Sequence, residues 1–283
     1  MESIRELRRR CQTVHSEDFS ARLVRSVSIY FTRALLPTGI SANAVSFCNV
    51  AIGVAAGGLF AVGYESWTLA GLLLFTLNTI LDGCDGEVAR YRQQSSLTGL
   101  FADRVNSFFA YPALFGGIAL GLQREFSSDW ILLPGVLAVW STCALRLTRS
   151  TVDTTVIDGL TASKAKQEGR EPRIASPDYT ALADVVRNKS KIWYAIDFVL
   201  VRQPGVNLVV GGVVAASMVT PTACGLVCSP LYLLLWGYGA AYTLMTLAGL
   251  LLIVRGRRAE ATLDAVKART LAITDSQDAS GST

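Results

Sequence analysis

Residues 81–107 read LDGCDGEVARYRQQSSLTGLFADRVNS, and they join two apolar runs, WTLAGLLLFTLNTI over 67–80 and FFAYPALFGGIALGL over 108–122. Carboxylates at the ends of membrane-length runs are costly, so their clustering points to function by default. Asp82 and Asp85 are three apart and share one face of a continuing helix. Gly86 removes a side chain beside them, and Arg90 stands about one turn further on. Across a short turn, Gly99 and Asp103 are four apart and again share a face. Antiparallel neighbours joined by such a turn bring the two faces together.

The rest of the chain supplies the membrane that this reading needs. Of 283 residues, 51% are hydrophobic and 17% charged, and the mean hydropathy is +0.38, too apolar for an ordinary soluble domain. A hydrocarbon layer of roughly 30 Å takes about 20 helical residues to cross. Six runs qualify: about Ser41–Tyr64, Trp67–Ile80 continuing to Arg90, Leu100–Leu122, Trp130–Leu147, Val206–Val227 and Leu231–Val254. The sequence therefore predicts an all-α polytopic membrane protein with six transmembrane helices.

Charge sets the orientation. With the N-terminus inside, the outer loops fall near 63–66, 123–129 and 228–230, and of 26 Lys and Arg residues only Arg124 lies in them. Both termini and the acidic cluster are then cytoplasmic, in a plasma (inner) membrane. The net charge of +4 conceals a one-sided basic surface suited to anionic lipid or phosphate-bearing substrates. No compact basic domain or aromatic platform supports nucleic-acid binding.

Residues 1–39 read as a cytoplasmic segment without the basic start and short apolar core of a cleavable signal. Within it, 22–36 place Leu23, Val27, Tyr30, Phe31 and Leu35 near one face, away from Arg22, Arg25 and Arg33. That pattern predicts an amphipathic helix lying in the membrane interface, with a partner-binding helix as the alternative. Residues 40–258 form the membrane domain, including a polar cytoplasmic segment at about 150–204 that holds extensions of the flanking helices. Residues 259–283 are a tail that starts as a helix with Leu263, Val266 and Leu271 and ends disordered in DSQDASGST. The six cysteines read as small packing residues, with a Cys224–Cys228 disulfide the lesser alternative, and a single histidine, His15, leaves no histidine-based site.

Three carboxylates, Asp82, Asp85 and Asp103, suit a hard divalent cation that takes oxygen ligands beside substrate phosphates. Arg90 can hold a phosphate through its fork of donors. The competing reading is a set of solvated helix-end charges paired as Glu87–Arg90 and Asp103–Arg104. A transporter with a cytoplasmic acidic site is the rival from another class, but it predicts acids near the bilayer midplane.

Asp82, Asp85, Gly86, Ala89, Arg90, Gly99 and Asp103 fall in the register D-x2-D-G-x2-A-R-x8-G-x3-D-x3-D, and this pattern resembles the signature of the CDP-alcohol phosphotransferase (CDP-alcohol phosphatidyltransferase) family. The segment around Ile40, Asn43 and Val45 is similar to the motif that opens the first span in many members. The resemblance implies transfer of a phosphoalcohol group from a CDP-alcohol, CDP-diacylglycerol or a CDP-linked small alcohol, to an acceptor alcohol, with release of CMP. It implies Mg²⁺ or Mn²⁺ on Asp82, Asp85 and Asp103. The nucleotide would lie along Asp82, Gly86, Ala89, Arg90, Gly99 and Asn43. Gly99 either admits the nucleotide or relieves crowding at a helix start.

Where the family's last aspartate stands, this chain has Ser107, with Asn106 beside it. By the resemblance that carboxylate is the general base and a ligand of a second metal; the Ser107 oxygen can bind a metal weakly or through water, but it does not accept a proton at neutral pH as a carboxylate does. Glu87, Asp103 or a substrate phosphate then remain to take the acceptor's proton. A catalytically weakened relative with a binding or regulatory role is the alternative. Arg146, Arg149 and Arg202 correspond to basic groups that hold a phosphorylated acceptor in related enzymes, and ordinary membrane anchoring explains them equally. The resemblance also implies a homodimer, for which Gly57, Gly58, Gly116, Gly117, Gly211 and Gly212 offer close contacts, unless they pack within one chain.

Overall fold

A computed structural model describes residues 2–12, 19–94, 96–168, 191–219 and 225–256. Among the described residues the structure is helical throughout: α1 (Ile4–Cys11), α2 (Phe19–Leu35), α3 (Ala42–Val62), α4 (Glu65–Arg92), α5 (Leu97–Phe126), α6 (Leu132–Glu168), α7 (Lys191–Leu200), α8 (Gln203–Val219) and α9 (Pro230–Gly256). Five of these, α3, α4, α5, α6 and α9, contain stretches long and apolar enough to cross a membrane. The protein is an integral membrane protein. The expected fifth span, at about 206–227, overlaps a helix whose described part is apolar. Its helix α8 has 17 residues, about 26 Å at the usual rise, with Pro204 in the first turn where a missing N–H costs nothing. Residues 220–224 lie outside the described residues, and a 3₁₀ turn stands at Leu226–Cys228.

The described residues form two compact units. The first takes residues 1–143 and 195–242, the second 144–194 and 243–283. The polar segment does contain helical extensions from both sides, α6 running to Glu168 and α7 starting at Lys191. Residues 169–190 lie outside the described residues, as do His15, Cys224 and the tail from 257 onward. Cys228 is a free thiol.

In the first unit, α3 packs chiefly on α5 and on α4. The α3/α5 seam is built from glycine. A Cβ at Gly57 would overlap the Ala113 carbonyl, one at Gly117 would overlap the Gly57 carbonyl, and one at Gly53 would stand 2.6 Å from the Ala110 Cβ. Backbones touch there, as small residues in membrane helices allow. Gly57 and Gly117 thus pack within the chain, whereas Gly58 and Gly212 meet nothing within 4 Å. Ser41 and Ser96 cap α3 and α5, accepting from the N–H groups of Ala44 and Gly99.

Two helices precede the spans. α1, which the sequence reading lacks, begins with a reciprocal Ser3–Glu6 capping box, and its Leu7 and Cys11 pack with Ile29 of α2 beside Tyr91 of α4. The predicted amphipathic helix is present as α2, and Leu23, Val27, Tyr30 and Phe31 are exposed on it. Beside Ile29 its inward face carries two polar side chains, Ser28 and Thr32, both fully buried. Arg92 at the end of α4 fastens the turn after α2, donating to the carbonyls of Leu36, Gly39 and Ile40.

The break between α7 and α8 is satisfied by tyrosines. Tyr238 donates to the Val199 carbonyl at 3.2 Å, Tyr111 to that of Val201 at 3.4 Å, and Tyr242 to that of Leu200. Carbonyls freed by a break in a membrane helix need such partners.

Candidate active site

α4 continues without interruption through its charged end and stops at Gln93, which adopts the left-handed conformation (φ 55°). α5 starts at Leu97, so the chain reverses within a few residues, as expected. Asp82, Asp85, Gly86 and Ala89 share a face of α4 by their spacing. Asp82 and Asp103 stand beside one another, and Asp85 lies near both. Asp85 is buried, whereas Asp103 is exposed, so the cluster opens on the Asp103 side.

Ser46 of α3 donates to Asp85 Oδ2 at 2.6 Å, and the Gly86 N–H donates to Oδ1 at 2.6 Å. Both oxygens of Asp85 are therefore oriented by fixed donors. Asn106 of α5 donates through Nδ2 to Asp82 Oδ1 at 3.0 Å. The sequence pattern does not single out Ser46, and Asn106 stands in it only as the neighbour of Ser107. The available signal was polar side chains at helical spacing inside apolar runs, Ser46 and Asn49 on α3, Asn78 on α4.

Arg90 sits with this group. Its two terminal nitrogens lie 3.4 Å from where a Gly86 Cβ would be, so Gly86 makes room for the guanidinium, while Nε donates to the Cys11 carbonyl at the end of α1. Burial and the nearby Glu87 carboxylate push the Cys11 thiol up to about 11, which keeps it protonated and unreactive. Glu87 is directed to the other side. It is fully buried and accepts from Gln12 Nε2 at 2.8 Å, Ser28 Oγ at 2.7 Å and Thr32 Oγ1 at 2.6 Å. The structure thus places Glu87 in the contact with α1 and α2, with both carboxylate oxygens engaged.

Asn43 and Gly99 come together at the start of α3 and α5. Ser96 Oγ donates to Asn43 Oδ1 at 2.9 Å, and a Cβ at Gly99 would stand 3.0 Å from that same oxygen. A side chain at Gly99 would crowd the Asn43 amide. Ser107 donates to the Arg104 carbonyl at 2.9 Å within α5. Arg202 pairs with Asp197 at 3.1 Å in the first unit, and burial holds its guanidinium below the usual range. Arg146 and Arg149 belong to the second unit.

Among the described residues, no three His, Cys, Asp or Glu side chains stand as a ready metal-ligand set. The donor chemistry nonetheless fits a hard cation, because Asp82, Asp85 and Asp103 offer only oxygens.

Residues 39–169, from the turn before α3 to the end of α6, match the CDP-alcohol phosphatidyltransferase family. That segment is similar to the family, and it makes up just under half of the chain. It holds every residue of the acidic site. Over 107 residues the chain is 38% identical to the "Bifunctional IPC transferase and DIPP synthase" of Rubrobacter xylanophilus, covering 37% of this chain and 24% of that protein. Over 102 residues it is 34% identical to "Inner membrane protein YnjF" of Escherichia coli, covering 35% of this chain and 48% of that one. The chain thus spans about a quarter of the first relative's length and about half of the second's. The family segment accounts for α3–α6 and leaves α1, α2 and α7–α9 outside the match.

Proposed function

We propose that this chain transfers a phosphoalcohol group from a CDP-alcohol to an acceptor alcohol and releases CMP, with a divalent cation, Mg²⁺ or Mn²⁺, at Asp82, Asp85 and Asp103. The observation that carries the reading is the convergence of these three carboxylates, Asp85 held by Ser46 and Gly86, inside the family segment. In the reaction the acceptor oxygen forms a bond to the β-phosphorus of the donor. The bond from that phosphorus to the bridging oxygen breaks, and the oxygen leaves with CMP. The acceptor's proton passes to Asp103, the exposed member of the set, directly or through water; a loose phosphoryl transfer asks little of its base.

When bound, the cation supplies charge stabilisation on the diphosphate. The protein's part is orientation. Ser46 and the Gly86 N–H fix Asp85, and Arg90, seated over Gly86 and tied to α1, is placed to hold a phosphate oxygen. The Asn43–Ser96 pair borders the start of α5 where the nucleotide would lie. Ser107 offers no carboxylate, and its hydroxyl is spent on the Arg104 carbonyl, which favours proton transfer elsewhere. The site lies at the cytoplasmic ends of α4 and α5, as the basic residues of the neighbouring segments support, and α8 crosses as a sixth, shorter span.

The test is CMP release by the purified protein in nanodiscs, across a panel of CDP-alcohol donors and alcohol acceptors, with Asp85→Ala as control. Metal-dependent release abolished by Asp85→Ala is the expected result. No release from any donor, with the wild-type protein still binding CDP-alcohols, would instead establish the binding role.

A further inference from the structure

One turn deeper than the carboxylates, three asparagines from three helices meet: Asn49 of α3, Asn78 of α4 and Asn106 of α5, all at most 1% exposed. Asn78 Nδ2 donates to the Asn49 carbonyl at 2.8 Å, to Asn49 Oδ1 at 2.8 Å and to Asn106 Oδ1 at 2.9 Å. Gln203 of α8 reaches Asn78 Oδ1 at 3.4 Å. The direction of the Asn106 amide follows from these partners. With Oδ1 accepting from Asn78, Nδ2 is left to donate to Asp82 Oδ1 at 3.0 Å. Turning the amide over would set nitrogen against nitrogen at Asn78 and oxygen against oxygen at Asp82, losing both bonds.

Buried amides are expensive in a membrane bundle, where leucine or valine would fill the same space without polar groups to satisfy. The arrangement even leaves Asn49 Nδ2 buried with no partner, so close packing alone does not account for it. What the chain of amides does produce is a donor fixed against one oxygen of Asp82.

We propose that Asn106, locked in direction by Asn78, is a positioning residue that pins Oδ1 of Asp82 and so presents its second oxygen, beside Asp103, to the divalent cation. This rests on the metal-assisted transfer proposed above. Groups that orient metal ligands in this way act on affinity, and losing one weakens binding about ten- to a hundred-fold.

The experiment is Mn²⁺ titration of the full chain in nanodiscs, read by electron paramagnetic resonance of the free ion, for the wild type, Asn106→Leu, Asn78→Leu and the double variant, each checked for its thermal transition. Asn106→Leu is expected to weaken Mn²⁺ binding about ten- to a hundred-fold. Asn78→Leu should weaken it by less, and the double variant no further than Asn106→Leu, because the two amides act in series. A folded Asn106→Leu protein with wild-type Mn²⁺ affinity overturns the inference while leaving the reaction intact. Should Asn106→Leu not fold, Asn78→Leu decides, and unchanged affinity there overturns it equally. A wild type that binds no Mn²⁺ overturns the metal-dependent reading itself, and this inference with it.

Discussion

Glu87 and Asp85 lie two residues apart on one helix and meet opposite fates. Asp85 joins the reactive cluster, and Glu87 becomes the acceptor for Gln12, Ser28 and Thr32. A step of two residues turns a helix by about 200°, so the signature's own period separates the two groups. Replacing Glu87 by alanine leaves three donors facing an apolar void, each costing about 1–3 kcal/mol if unsatisfied. The expected outcome is a lower thermal transition and loss of protection in α1 and α2 by hydrogen exchange, with Glu87→Gln milder. An unchanged transition would show that water replaces the carboxylate. At this scale the sequence shows which residue types matter through their spacing. It does not show that Ser46, Ser28 and Thr32 complete them, since a serine or threonine on an apolar helix looks the same whether it bonds its own backbone or reaches across.

Among elements, the pairing of α3 with α5 is the least negotiable. The chain passes from α3 through α4 before α5 arrives, yet α3 and α5 touch backbone to backbone at Gly57 and Gly117. Gly117→Val would drive a branched side chain into the Gly57 carbonyl, and overpacking of this kind costs about 1–3 kcal/mol or more. Gly58→Val and Gly212→Val, where nothing lies within 4 Å, should leave the transition temperature nearly unchanged, so thermal unfolding of the three variants checks the seam. The existence and order of the long apolar helices were legible from hydropathy alone. Which glycines lie on the seam was not, because adjacent pairs such as Gly57 and Gly58 differ only in the rotation of the helix. The helix α1 escaped notice because its mean composition is polar. Its cap, Ser3 with Glu6, was the available signal.

For the molecule as a whole, the distribution of basic residues makes a topological prediction. A cysteine introduced at Ser127, between α5 and α6, in a chain whose native cysteines are replaced, should label with a membrane-impermeant maleimide from outside intact cells. One at Ser96, between α4 and α5, should label only after permeabilisation. The reverse pattern would put the carboxylates on the outer side and remove access to cytoplasmic nucleotide. The hydrophobic run at 206–227 illustrates the limit of a composition reading. A window average sees one long apolar stretch, and it does not see the 3₁₀ turn at Leu226–Cys228 near its end.

The glycine seam bears on how this protein responds to its lipid surroundings. Side-chain layers between helices can be compressed or repacked as a bilayer thins or thickens, but two backbones already in contact have no such slack. Ser46 and Asn49 ride on α3, Asp103 and Asn106 on α5, so the gap between them is set by peptide groups and not by rotamers. A change of acyl-chain length would be absorbed by tilt of the bundle as a body, leaving the spacing of the polar groups at its mouth the same in a thin membrane as in a thick one.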